Sequence, residues 1–79
     1  MQIVEVRRAL ASGAARRIRE HADLSLAEMA KGVPVDPSTL WRWETGRQCP
    51  RGAAALRYAA LLEVVAKASA PSDALAQGA

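Results

Sequence analysis

The sequence of 79 residues has no phenylalanine, one cysteine, one histidine and only two lysines, Lys31 and Lys67. Each scarcity narrows the reading. A single cysteine, Cys49, excludes an intrachain disulfide and a cysteine-based zinc site, and it fits a reducing cytoplasm. The lone histidine, His21, has no neighbours that would complete a metal set; it reads as a partner for the dipole at a helix C-terminus. No apolar run approaches the roughly eighteen residues a membrane helix needs, and no stretch has the pattern of a signal peptide. There is no glycine-rich phosphate loop and no cysteine-histidine pair, and the carboxylates are spread about one per helix. No catalysis, cofactor, metal or small-molecule ligand is therefore expected.

What the chain does have is alanine, leucine and arginine. With 51% apolar residues it favours close-packed helices over sheets, so an all-α fold of about five short helices is expected. A core of this size is marginal, and a dimer would help it. The net charge is +3 and the pI about 9.8, from nine arginines and two lysines. Arginine grips phosphate and guanine with two bonds at once, which suits nucleic acid, although a GC-rich coding sequence would give the same bias.

In chain order, residues 2–11 carry Ile3, Val4, Val6 and Leu10 in a helical stripe, with Glu5, Arg7 and Arg8 outside. Ser12 is placed to cap a second helix from Gly13 to about Ala22, with Ala14, Ala15, Ile18 and Ala22 inward and Arg16, Arg17 and Glu20 outward. One continuous helix is the alternative, since an isolated glycine costs only ~1 kcal/mol. Beyond a loop at 47–52, residues 53–68 form an alanine-rich helix whose stripe of Leu56, Ala59, Ala60, Leu61, Leu62, Val64 and Val65 is too broad for one partner, with Arg57 and Tyr58 at its border. One part should pack on the domain and another on a second chain, giving a homodimer through this helix. The domain then spans 1–68, and 69–79, with no periodic core signal, is expected to be a flexible tail.

The organising stretch is Leu24 to Pro50. Ser25 and Glu28 form a capping box for a short helix, which Gly32 and Pro34 are expected to stop. Asp36 and Pro37 open the next helix at once, and it should run to about Thr45 and end at Gly46. At 100° per residue, Thr39, Leu40 and Trp43 share one side, and Pro37, Ser38, Trp41 and Arg42 the other. The second side offers a hydroxyl, an indole and a guanidinium; a helix of this kind fits a major groove, and an ordinary solvated face is the alternative.

Leu24-Ser25, Met29-Ala30, Val35, Pro37-Ser38-Thr39-Leu40, Trp43-Glu44, Gly46 and Pro50 together resemble the motif of the phage repressor and Cro-like helix-turn-helix proteins, the XRE family, over roughly residues 16–65. The resemblance implies a cytoplasmic, nucleoid-associated protein that binds specific double-stranded DNA and regulates transcription, of repressor or Cro-like type, phage or bacterial, with residues 37–45 as recognition helix. It also implies that Pro37, Ser38, Thr39, Trp41 and Arg42 face the DNA, while Arg16, Arg17, Arg47 and Arg51 meet phosphates. Members usually carry glutamine at the place of Leu26, so here the backbone amide of Leu26 is the group left to meet a phosphate. Where members have a turn glycine this chain has Pro34, which implies a different backbone path. In the family an arginine at the place of Arg19 pairs with the glutamate at the place of Glu44, with Trp43 buried beside them; two solvated charges are the alternative. The other functional class open to such a chain is a protein-interaction module, such as an antitoxin or a recombination helper.

Overall fold

The computed structural model describes residues 1–68; the expected tail at 69–79 lies outside the described residues. Five helices follow one another: α1 (Ile3–Ser12), α2 (Ala14–His21), α3 (Leu26–Gly32), α4 (Pro37–Glu44) and α5 (Gly52–Ala68), and the described residues contain no strand. This is an all-α fold.

The break between α1 and α2 is made by Gly13, whose φ of 83° is left-handed and ends the first helix while its N–H donates to Leu10 O at 3.2 Å. A continuous helix is thereby excluded. Ser12 is not the first cap of α2 but the last residue of α1; from there its hydroxyl donates to Ala9 O and accepts the Ala14 N–H, both at 3.3 Å.

Ser25 and Glu28 close the capping box of α3, with Ser25 N–H donating to Glu28 Oε1 at 2.9 Å and Glu28 N–H to Ser25 Oγ at 3.0 Å. These bonds hold the Glu28 carboxyl below its ordinary range. α3 ends at Gly32 as expected, but without a left-handed glycine cap: the C-cap is Val33, in right-handed geometry, and the chain turns at Val33–Pro34, a cis peptide, after which Val35 N–H donates to Ala30 O at 2.9 Å.

The core takes Val6 and Leu10 from α1, Ala15 from α2, Met29 and Ala30 from α3, Val33 from the turn, Leu40 and Trp43 from α4, and Tyr58, Ala59, Leu62 and Val65 from α5. Val4, expected in the inner stripe of α1, is exposed. The broad stripe of α5 divides into an inner and an outer part, and Tyr58, expected at its border, is buried in the core. Ala55, Tyr58, Ala59, Leu62 and Val65 are its buried residues, whereas Leu56 and Val64 are 60% and 62% exposed with Ala60 exposed between them. Two apolar rows run along this helix, and only the row containing Tyr58 meets the domain. Tyr58 lies against Trp43 with ring centroids 5.3 Å apart and planes tilted by 51°, an aromatic contact that joins α5 to α4.

Candidate nucleic-acid interface

The α4 helix is built to hold one face inward and leave the other free. At its start Asp36 Oδ1 accepts the Ser38 N–H at 3.2 Å, and Pro37 occupies the first turn, where its missing amide does no harm. At its end Gly46, with φ of 76°, lets Arg47 N–H donate to Arg42 O at 2.8 Å and Gly46 N–H to Trp43 O at 3.3 Å, a left-handed termination that satisfies two otherwise orphaned carbonyls. Both signals are local, which is why the residues from Asp36 to Gly46 suffice to bound this helix.

The inner face carries Leu40 and Trp43, both buried, and ends at Glu44. Arg19 of α2 reaches that carboxylate with two bonds, Nε to Oε2 at 2.7 Å and Nη2 to Oε1 at 2.9 Å, and spends Nη1 on Leu24 O at 2.8 Å. Arg19 is 8% exposed, so the pair is shielded from solvent. The bond to Glu44 raises the Arg19 guanidinium above its ordinary value and outweighs the burial that lowers it. One side chain thus ties α2, the approach to α3 and the end of α4 together. A further tie is invisible in the sequence: Arg57 of α5 donates from Nε to Val33 O at 2.7 Å, clamping the turn between α3 and α4. Arg57 reads there only as a border residue, because no pattern marks which carbonyl it meets.

On the outer face Pro37, Ser38, Trp41 and Arg42 are all exposed. Ser38 Oγ donates to Asp36 Oδ1 at 3.1 Å, so its hydroxyl proton is engaged and its lone pairs remain to accept. Thr39 is half-buried, and Leu26 is half-buried with its side chain packed against the core. Two short helices thus meet across a tight turn, the second with a free polar and aromatic face. A family model described as a helix-turn-helix domain matches residues 12–69. This chain belongs to that helix-turn-helix family. Neither the curated proteins nor the solved structures yield a match. The family is one of DNA-binding domains, and its unit here is α3, the turn and α4.

Around the helix-turn-helix the arginines differ in how free they are. Arg47 and Arg51 are exposed, and the Arg47 guanidinium lies over the Trp41 ring at 5.0 Å from its centroid, an arrangement in which the cation faces the electron-rich ring. Arg16 and Arg17 are exposed on α2, but Arg16 Nε bonds Glu20 Oε2 at 3.2 Å and Arg17 Nη1 reaches Ser12 O at 3.5 Å. A phosphate would have to draw Arg16 away from Glu20, at little cost because that pair is solvated. Among the described residues no group of three or more histidine, cysteine or acidic side chains gathers, and no helix is long and apolar enough to cross a membrane.

Proposed function

We propose that this helix-turn-helix chain binds specific double-stranded DNA and regulates transcription as a repressor or Cro-like protein of phage or bacterial type, acting on the nucleoid. The observation that carries this reading is the division of α4: Leu40, Trp43 and Glu44 hold it from within while Ser38, Trp41 and Arg42 stand exposed on one side. In the major groove Arg42 is suited to guanine O6 and N7, and Ser38, as acceptor, to an exocyclic amine. Pro37 and Thr39 flank this row, Arg47 and Arg51 follow it, and Arg16, Arg17 and the Leu26 amide approach phosphates from the preceding helices.

The exposed row of Leu56, Ala60 and Val64 supports a homodimer through α5, which would set two recognition helices on two half-sites. The same row favours a second reading, an antitoxin or recombination helper in which another protein covers it. Selection of bound sites from random duplex DNA, followed by a salt titration, tests the first reading. An enriched site with two half-sites and a steep loss of affinity with salt is expected, at a slope of about −0.9 per phosphate contacted. No enriched sequence, or a slope near zero, would sink the DNA reading; a stoichiometric complex with another protein through α5 in place of a homodimer would favour the second.

A further inference from the structure

Between α1 and the loop that follows α4 lies a half-enclosed cavity of about 180 Å³. Its buried lining is apolar: Leu10 from α1, Trp43 from α4 and Pro50 from the loop. Its exposed lining includes Arg7, Gln48 and Cys49. Arg7 is the only charged residue there, and among the described residues it has no hydrogen-bond or ion-pair partner. None of the residues proposed to face DNA lines the cavity, and Arg47 and Arg51 flank its loop residues Gln48, Cys49 and Pro50 in the chain.

Size and charge together select an occupant. An apolar cavity of roughly 150 Å³ holds one benzene molecule, so this one accommodates a single six-membered ring with a small substituent. A neutral arene would leave the guanidinium with water alone. A carboxylate on the ring would meet it with paired, charge-assisted bonds, and the Gln48 amide offers a further donor. We propose that this cavity is a binding site for a small aromatic carboxylate of about the size of benzoate, with the ring against Leu10, Trp43 and Pro50 and the carboxylate on Arg7.

The two indoles of the chain are Trp41 and Trp43, so a Trp41→Phe chain reports on Trp43 alone. Benzoate is titrated into that chain, and alkylation of Cys49 by the neutral reagent iodoacetamide is timed in parallel. A saturable change in Trp43 emission and a slowing of alkylation over the same concentrations are expected, with Arg7→Gln weakening both at least about tenfold. Benzyl alcohol, which keeps the ring and lacks the charge, should bind the Arg7 chain as weakly as benzoate binds Arg7→Gln. Ala11 lines the cavity and is itself exposed, so Ala11→Phe should fill the space and abolish both signals while the helical circular dichroism is retained. Absence of saturation, equal benzoate binding with and without Arg7, or undiminished binding by a folded Ala11→Phe chain would each overturn the proposal.

Discussion

Gly32 and Leu61 compete for one space: a Cβ on Gly32 would come within 2.7 Å of Leu61 Cδ2. As the last residue of α3, the glycine leaves room for α5 to approach the end of that helix. Gly32→Ala should gain about 1 kcal/mol in helix propensity and lose a similar amount as Leu61 changes rotamer, leaving stability within about 1 kcal/mol of the parent. The branched side chain of Gly32→Val leaves no such escape and should destabilise by ~1 to 3 kcal/mol. Urea midpoints measure both, and a valine variant as stable as the parent would show that Leu61 does not sit there.

Breaking the Arg19–Glu44 pair should matter more than its two charges suggest. Arg19→Ala removes three bonds and leaves a carboxylate whose side chain is 3% exposed; Glu44→Ala leaves the guanidinium with Leu24 O alone. Each change is expected to cost ~2 to 4 kcal/mol, with the double variant losing less than the sum. Strict additivity in a denaturant cycle would mean that the two side chains do not act together in solution.

Tyr58 is the chain's single tyrosine, fully buried, and neither its hydroxyl nor Trp43 Nε1 has a hydrogen-bond partner among the described residues. Tyr58→Phe should therefore be neutral or stabilising by up to ~1 kcal/mol. Burial, reinforced by the Glu44 charge, also pushes the phenol well above its ordinary value. A raised folded-state pKa means that this group's contribution is fully present below the unfolded value of about 10 and is lost as pH rises toward the folded one. Phenolate absorbance should thus stay absent above pH ~10 until the fold opens, and Tyr58→Phe should soften the alkaline loss of stability. Ordinary titration by a still folded chain would contradict the burial.

On DNA, Arg42→Ala should cost ~1 to 3 kcal/mol and relax preference at one base pair per half-site, whereas Arg47→Ala should weaken specific and random duplexes alike. Because the Arg47 guanidinium rests on the Trp41 ring, Trp41→Ala should remove part of what Arg47 contributes, and the two losses should fall short of additive. Equal losses on specific and random duplexes for Arg42→Ala would show that another face reads the bases.

Much of the fold's local grammar was legible in the sequence because its causes act over a few residues. Ser25 with Glu28, Asp36 with Pro37, and Gly46 each satisfy backbone groups within one turn, so the bounds of α3 and α4 and the outer row of Ser38, Trp41 and Arg42 follow without knowledge of the rest of the chain. The resemblance pointed to Arg19 and Glu44, separated by 25 positions, but no spacing rule joins them. Tertiary structure decided what depends on equal choices. α5 carries two apolar rows, and its packing turns the row with Tyr58, which lies against Trp43, inward and leaves Leu56 and Val64 outside. The same is true of Gly32, whose closeness to Leu61 no local pattern shows, and of Arg57, whose carbonyl partner lies 24 positions away. Burial and long-range hydrogen bonding select among such alternatives only when all five helices are packed, since the free energy that distinguishes them resides in contacts between helices and not within any one of them.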